Sequence, residues 1–248
     1  METNLPEIQI SVVVPLFNEE PNLIPLYEST KKALEGIGRP WEIIFVDDGS
    51  NDEGPGILAG LAGKDPCVRV LTFRKNAGQT AAFDAGFKRA VGKYVVTMDA
   101  DLQNDPADIP KLLALIDEGD CELVCGWRHR RNDPLVKRVS SKIANYVRNK
   151  LSDENIHDTG CSLKIFQREA LVQIRLFNGM HRFFPTLMKM HGFRVREAKV
   201  NHLPRKFGKS KYGISNRVLR SFIDLLAVRW MKNRHLRYAI AQHGRNQK

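Results

Sequence analysis

Three oxygen-bearing side chains follow one apolar run at spacings of two residues. Asp99, Asp101 and Gln103 come directly after residues 94–98, a run with the length and composition of a buried strand. In an open α/β sheet, ligands bind at the carboxyl ends of the strands. Carboxylate and amide oxygens suit a hard divalent cation, which can in turn hold a diphosphate. The pattern favours a metal and diphosphate site, with a surface turn carrying two solvated acids as the alternative.

The surrounding sequence alternates between strand and helix patterns. Strands are expected at residues 8–16, 41–46, 68–73, 94–98, 122–126 and 193–203, with an apolar segment ending at 166. Helices are expected at residues 18–35, 51–63, 78–90, 106–117, 135–150, 180–192 and 214–238. Two helix starts have explicit caps, Asn51 with Asp52, and Asp105 followed by Pro106. This alternation is typical of a parallel sheet with right-handed crossovers.

Positive charge is concentrated at the C-terminal end of the chain. Residues 205–248 contain twelve Lys or Arg and one acid, Asp224, whereas the other 204 residues are balanced. Such a block favours an anionic partner, namely nucleic acid, an acidic membrane surface or phosphate groups. Nucleic acid is disfavoured as the partner, because the sequence contains no nucleic-acid-binding motif. A nucleotide-binding dehydrogenase is also disfavoured, because no G-x-G-x-x-G follows the first strand.

The last expected helix combines this charge with an apolar stripe. At helical spacing, one face carries Leu219, Phe222, Ile223, Leu226 and Trp230. A basic amphipathic helix with aromatic residues can lie on an anionic membrane. The alternative is an ordinary helix that packs this stripe on the domain and exposes its basic face.

Composition indicates the size of the domain and the cellular compartment. At 248 residues and 42% hydrophobic residues, the chain can bury the core of one large α/β domain. No run approaches the ~18 apolar residues of a membrane span, and the first residues lack a signal-peptide core. The four cysteines form no C-x-x-C pair, which favours reduced thiols in the cytosol.

Five short segments together resemble family 2 glycosyltransferases. In chain order they are VPLFNE at 14–19, VDDGS at 46–50, NAG at 76–78, DADLQ at 99–103 and R-x-x-G-x-S-K-Y at 205–212. More narrowly, the chain resembles the branch with dolichol-phosphate mannose synthase and the bacterial polyprenyl-phosphate glycosyltransferases. Each segment is weak by itself, whereas five in this order are specific.

The resemblance implies a GT-A type, Rossmann-like domain with a mostly parallel sheet flanked by helices. We expect this catalytic domain at residues 1–213 and a basic amphipathic helix and tail at 214–248. It also implies a hexosyltransferase with a nucleotide-sugar donor and Mg²⁺ or Mn²⁺ held by Asp101 and Gln103. Nucleotide-sugar contacts are implied for Pro15, Phe17, Glu19, Asp47, Asp48, Asn76, Gly78, Asp99, Ala100 and Lys211.

The acceptor is the open question at this stage. Relatives of this kind invert the anomeric centre by direct displacement. The resemblance implies that Arg128 and Arg205, with Lys211 as a third candidate, supply positive charge around the donor and acceptor phosphates. A polyprenyl or dolichyl phosphate is already ionised near pH 7 and needs no base. A sugar hydroxyl of a glycan or lipopolysaccharide precursor would need one, and Asp158 is the best candidate. The first acceptor implies a peripheral enzyme at the cytoplasmic face of a membrane, held by its basic helix. The alternatives are a chain cut before a membrane segment and a chain that works with a separate membrane partner or as a homo-oligomer.

Overall fold

The computed structural model describes residues 7–129, 156–205, 207 and 214–236, with 214–222 described as helical backbone. The strands are β1 (Ile10–Leu16), β2 (Trp41–Asp47), β3 (Val68–Thr72), β4 (Tyr94–Thr97), β5 (Leu123–Arg128), β6 (Lys164–Gln167) and β7 (Val195–Val200). The helices are α1 (Glu20–Ile37), α2 (Gly54–Lys64), α3 (Gln79–Arg89), α4 (Ile109–Asp117), α5 (Arg168–Leu171), α6 (Phe184–Met190) and α7 (Ile214–Arg234). Two 3₁₀ turns, Pro106–Asp108 and Met180–Phe183, lead into α4 and α6.

The seven strands form one sheet in the order β3-β2-β1-β4-β6-β5-β7. β1 is parallel to both β2 and β4, β2 to β3, and β5 to β7. Only β6 is antiparallel to its neighbours β4 and β5 in this sheet of described residues. The mostly parallel sheet expected from the sequence is therefore confirmed. The strand order reverses beside β1, between β1 and β4, which is where ligands bind in open α/β sheets.

Several expected boundaries need correction. β5 continues through Trp127 to Arg128, so Arg128 ends a strand and does not belong to the following loop. α2 begins at Gly54 after an N-cap at Glu53, and Asp52 accepts a hydrogen bond from the Gly54 amide at 3.1 Å. Asp52 therefore stabilises the turn before the helix and is not itself the N-cap. The helix expected at 135–150 lies outside the described residues.

Side chains from the two faces of the sheet enter two separate hydrophobic layers. One layer contains Val12 and Val14 of β1 and receives α1, α2 and α4. The other contains Val13 and receives α3, α5, α6 and α7. This division follows from the strand period of two residues, which points successive side chains to opposite faces.

Gly86 lets α3 approach β1 closely. A Cβ atom at this position would overlap the Val13 side chain and lie 3.3 Å from Val46 Cγ2. α3 begins at Gln79, beside the carboxyl ends of the strands, so its distance from the sheet affects that edge. Gly86 is therefore required for close helix–sheet packing.

The last helix packs on the domain through side chains that do not belong to the expected apolar stripe. Leu225 and Val228 are buried in the layer shared with α6, whereas Ile223, Leu226 and Trp230 are 56%, 46% and 65% exposed. The expected apolar stripe is therefore not what attaches α7 to the domain, at least over its described side chains. Leu219 and Phe222 lie outside the described side chains. Within the described residues, no helix has both the length and the apolar character needed to cross a bilayer.

Two helical glycines provide a matched test of this packing. Gly86→Ala should lower the free energy of unfolding by about 1–3 kcal/mol, because the added methyl group overpacks the contact with Val13. Gly60→Ala, on α2 where nothing lies within 4 Å, should raise it by about 0.5–1 kcal/mol. Urea unfolding followed by circular dichroism measures both, and equal effects in the two variants would contradict the close contact.

Candidate active site

Asp47 presents one open carboxylate oxygen at the end of β2. The side chain is fully buried, and its Oδ1 accepts a hydrogen bond from the Ser50 amide at 2.9 Å. Its Oδ2 has no hydrogen-bond partner within the described part of the chain. Because an unsatisfied buried carboxylate oxygen is costly, this atom points to a ligand donor as its missing partner.

Asp48, the next residue, has a structural role. Both of its oxygens accept backbone hydrogen bonds, from Ala77 at 2.7 Å and from Gly78 at 2.9 Å. Gly49, with φ +76°, allows the two loops to touch, since a Cβ there would lie 2.8 Å from the Lys75 carbonyl carbon. Asp48 therefore fixes the loop before α3, and its carboxylate is already engaged.

Asn76 and Gly78 belong to this anchored loop. Asn76 is exposed and donates from Nδ2 to the Asp48 carbonyl at 3.3 Å. Gly78 has φ +94°, a conformation that L side chains rarely adopt, and it occupies the N-cap position of α3. Position 78 requires glycine because of its backbone conformation, whereas position 86 requires glycine because of close packing against β1.

The loop after β4 carries the predicted metal ligands on strained backbone. Asp101 and Gln103 flank Leu102, which has φ +60° although it is not glycine. The Gln103 amide donates to Asp101 Oδ1 at 3.2 Å, which holds the two residues in one tight turn. Asn18, at φ +51°, is the other non-glycine residue with positive φ in the described chain, and it follows β1. Both left-handed residues thus lie where the strand order reverses, and strain of this kind collects at functional sites.

Asp99 lies deeper in the same loop. Its Oδ1 accepts a hydrogen bond from Gln79 Nε2 at 2.7 Å, which links β4 to the start of α3. Burial raises the pKa of this carboxyl, and the negative charge of Asp101 adds to the increase. The positive charges of Lys164 and Arg128 act in the opposite direction.

Arg205 and His202 reach this loop from the segment after β7. Arg205 Nη2 lies 2.6 Å from Asp101 Oδ2, with 29% and 15% of the side chains exposed. His202 Nε2 lies 3.5 Å from Gln103 Nε2, and the Leu203 amide donates to the Gln103 carbonyl at 3.0 Å. The structure therefore brings the predicted metal ligands together with Arg205.

The donor set fits a divalent cation bound jointly with a substrate. The described residues contain no cluster of three or more His, Cys, Asp or Glu side chains that could enclose a metal ion. Mg²⁺ sites often use one or two carboxylates and leave the remaining positions to phosphates and water. Asp101, whose side chain is 15% exposed, and Gln103 match that arrangement.

Arg128 and Asp158 form a bidentate ion pair between the end of β5 and the segment before β6. Arg128 Nε lies 2.7 Å from Asp158 Oδ2, and its Nη2 lies 2.9 Å from Oδ1. Only 18% of the Arg128 side chain and 3% of the Asp158 side chain are exposed. Burial opposes the charged form of Arg128, but the hydrogen bonds to Asp158 raise its pKa overall. Asp158 therefore serves first as the partner of a buried arginine.

Residues 11–175 match the family described as glycosyl transferase family 2. The chain belongs to this family. It is 40% identical over 225 residues to the dodecaprenyl-phosphate galacturonate synthase of Rhizobium johnstonii, covering 89% of this chain and 66% of the relative. It is 37% identical over 219 residues to the undecaprenyl-phosphate 4-deoxy-4-formamido-L-arabinose transferase of Pectobacterium atrosepticum, covering 88% and 66%. The chain thus spans about two thirds of the length of these relatives.

Among solved structures, the fold resembles the glucosyl-3-phosphoglycerate synthase of Mycobacterium tuberculosis. The complex of that protein with Mn²⁺, UDP and phosphoglyceric acid has a TM-score of 0.68 at 19% identity, over 91% of this chain and 78% of the other. At this identity the likeness supports the fold alone. The GT-A type sheet expected from the sequence is confirmed.

The remaining expected residues of this family 2 glycosyltransferase lie in different environments. Pro15 is buried within β1 and pairs with Val46, while Phe17 and Glu19 are half-buried in the loop that follows. Ala100 is buried in the layer beneath α1. Lys211, like the Gly208-x-Ser210 part of its motif and the expected loop arginines 130 and 131, lies outside the described residues.

Sequence reasoning did not single out two side chains in the site of this glycosyltransferase, Gln79 and Lys164. Gln79 looks like an ordinary first-turn helix residue until α3 brings it to Asp99. Lys164 is 2% exposed and donates to the Cys161 carbonyl, in a segment that the sequence marked only as apolar. His202 likewise has no local sequence signal for the site, and the fold brings it to Gln103.

The Arg128–Asp158 pair gives a stability test of the coupling between its two residues. Asp158→Ala should cost about 3–5 kcal/mol of unfolding free energy, because it leaves a buried guanidinium unpaired. The double variant Arg128→Met/Asp158→Leu should recover most of that loss, as measured by urea unfolding in a double-mutant cycle. Additive losses from the two positions would show that the pair is not coupled.

Proposed function

We propose that this chain is an inverting glycosyltransferase that moves a sugar from a nucleotide-sugar to a polyprenyl phosphate at a membrane surface. The observation that carries the proposal is the grouping, at one sheet edge, of the open Asp47 oxygen, the Asp101–Gln103 turn and Arg205. The two relatives described above are named for polyprenyl-phosphate acceptors, which supports the same acceptor here.

The nucleotide would lie across the ends of β1 and β2. Asp47 Oδ2 can accept an N–H group of the base, and this contact would satisfy the oxygen that is otherwise open. Pro15, near the end of the adjacent strand β1, would border the base, as would Phe17 and Glu19, which follow that strand. Asp99, held by Gln79, would accept hydroxyl groups of the ribose or sugar. Asp48 would act through the loop that it anchors.

Asp101 and Gln103 would hold Mg²⁺ or Mn²⁺ against the donor diphosphate, with His202 as a further side chain within reach. When bound, the cation would stabilise the charge that develops on the nucleoside-diphosphate leaving group. The M. tuberculosis enzyme with the similar fold is described with Mn²⁺ and UDP, or with Mg²⁺ and UDP. Those complexes support testing both cations with uridine donors first.

A phosphate acceptor is favoured over a hydroxyl acceptor by the position of Asp158. A general base must be free to accept the hydroxyl proton in the transition state. Both Asp158 oxygens instead accept hydrogen bonds from Arg128. A phosphate oxygen that is already ionised needs no base, and Arg205 beside Asp101 offers bidentate geometry for such a group.

The exposed stripe of α7 supports contact with an anionic membrane. Ile223, Leu226 and Trp230 lie on one side of the helix, opposite the packed residues Leu225 and Val228. Apolar and aromatic side chains on a basic helix can insert at the headgroup boundary. The excess of bases in residues 205–248 would add attraction to acidic lipids.

A donor and acceptor panel tests the reaction. The purified chain would receive radiolabelled UDP-galacturonic acid, UDP-glucose or GDP-mannose, with Mg²⁺ or Mn²⁺ and with or without polyprenyl phosphate. We expect label in the organic phase from one donor, only with the lipid phosphate and only without chelator. Transfer to a sugar hydroxyl, or product formation in excess EDTA, would contradict the proposed acceptor or the metal role.

Asp101→Asn serves as the site variant in this panel. It should lower turnover by about 100-fold and weaken Mn²⁺ binding in the presence of UDP, measured by electron paramagnetic resonance. Asp105→Asn is the matched control, because Asp105 caps the following 3₁₀ turn and asparagine is an equally good cap. Equal behaviour of the two variants would remove Asp101 from the metal site.

Vesicle sedimentation tests the membrane contact separately. Ile223→Ser/Leu226→Ser should reduce binding to phosphatidylglycerol vesicles several-fold, since it removes apolar area from the exposed stripe. Ile24→Ser/Val91→Ser removes exposed apolar side chains elsewhere, 42% and 52% exposed, and should leave binding unchanged. A similar loss in both variants, or in neither, would contradict a membrane-facing α7.

A further inference from the structure

An apolar groove lies between the C-terminal half of α7 and the segments that pack beneath it. The groove has a volume of about 370 Å³, and its apolar wall includes Phe177, Leu187, Met190 and Trp230. Sites of ~300–1,000 Å³ with mainly apolar walls and a few polar groups are typical of small-ligand binding. Phe177 and Trp230 remain 57% and 65% exposed, so part of this apolar surface still faces solvent.

The charged side chains that line the groove are basic. Arg175 and Arg234 contribute to it, and both are exposed. Neither arginine has a carboxylate partner among the described residues, and no aspartate or glutamate lines the groove. The groove therefore combines an apolar wall with two available cations, which matches a ligand that has an apolar chain and an anionic head.

Two histidines connect α7 to α6 at this end of the molecule. The rings of His191 and His235 meet edge to face at 4.8 Å. His191 Nδ1 donates to the Leu187 carbonyl at 2.9 Å, which fixes its ring at the end of α6. These contacts hold α7 in place beside the groove.

The groove is on the opposite edge of the sheet from the catalytic residues. Met190 and His191 lie just before β7, whose first residue, Val195, pairs with Leu123 at the amino end of β5. Arg128 ends the same strand on the catalytic side, roughly 16 Å away at ~3.3 Å per residue. A ligand in the groove therefore cannot be the reacting phosphate.

α7 connects the two edges. Near its middle, Asp224 packs against Gly179, where a Cβ would lie 2.5 Å from Asp224 Oδ2. The Gly179 amide donates to Thr80 Oγ1 at 3.0 Å, beside the start of α3. Trp230 and Arg234 follow about two and three turns further along the helix, at the groove. The exposed stripe of α7 is therefore continuous with the groove.

We propose that this groove binds one anionic phospholipid of the membrane, with an acyl chain along Leu187, Met190 and Trp230 and its phosphate on Arg175 and Arg234. The proposal rests on the membrane contact proposed above and deepens it, because it assigns a defined lipid site to the end of α7. The lipid is a structural partner and is not consumed in glycosyl transfer.

Monomeric short-chain lipid tests the site without a bilayer. The full chain would be titrated with dihexanoyl phosphatidylglycerol below its critical micelle concentration, by calorimetry and by tryptophan fluorescence. We expect saturable binding of one lipid per chain. Dihexanoyl phosphatidylcholine, which lacks net charge, and glycerol 3-phosphate, which lacks the chains, should each bind at least about 10-fold more weakly. Equal binding of glycerol 3-phosphate would reduce the site to a phosphate contact and overturn the proposal.

Charge-matched variants identify the residues involved. Arg175→Gln/Arg234→Gln should weaken phosphatidylglycerol binding about 10-fold. Lys32→Gln/Lys64→Gln removes two exposed charges from α1 and α2, on the other face of the sheet, and should leave binding unchanged. Absence of saturable binding in the unaltered chain, or equal loss in both variants, would refute the groove.

Measuring lipid binding and glycosyl transfer on the same chain distinguishes a failure of this proposal from a failure of the proposed function. Asp101→Asn should lower turnover by about 100-fold, as above, and retain phosphatidylglycerol binding, because the two sites lie at different edges. Glycosyl transfer by a chain that binds no monomeric lipid would refute the groove alone. Lipid binding by a chain that transfers no sugar from any donor would refute the reaction alone.

Discussion

The parallel pairing of β1 with both β2 and β4 is the constraint on which the site depends. Leu16 pairs with Asp47 and Val13 with Thr97, so the ends of three strands lie at one edge. This register brings together loops that are separated by 30 to 80 residues in the chain. Without it, Asp47 would be unrelated to the loop that carries Asp99 and Asp101.

The four aspartates at this edge differ in the hydrogen-bond partners of their carboxylate oxygens. The difference distinguishes residues that hold the loops in place from residues that can bind a ligand. Backbone amides fully occupy Asp48, and Gln79 holds one oxygen of Asp99. Asp101 is paired with Arg205, whereas Asp47 keeps one buried oxygen without a hydrogen-bond partner among the described residues. Mutual repulsion and desolvation disfavour the charged forms of several carboxylates in one cleft. Each carboxylate therefore needs a hydrogen-bond or ionic partner, from the protein or from a ligand.

The last helix has one face that packs on the domain and another that stays exposed. Leu225 and Val228 face the core, while the exposed side carries apolar and aromatic residues between basic ones. A helix needs only one face to be held by its domain. The opposite face remains exposed, and we propose that it contacts a lipid surface. The same helix extends from Asp224, which lies against Gly179, to the groove at the far edge.

The sequence by itself determined the fold class, the strand ends that carry acids and the motif order, because apolar periodicity and caps act over a few residues. It also indicated Asp99, Asp101 and Gln103 as one group, since they lie on a single loop. The tertiary structure alone decided the contacts across the chain: Arg205 with Asp101, Arg128 with Asp158, and Gln79 with Asp99. It also decided that β6 is antiparallel and which face of α7 is buried. These outcomes depend on which surfaces meet when the two layers close on the sheet, and no local pattern encodes that.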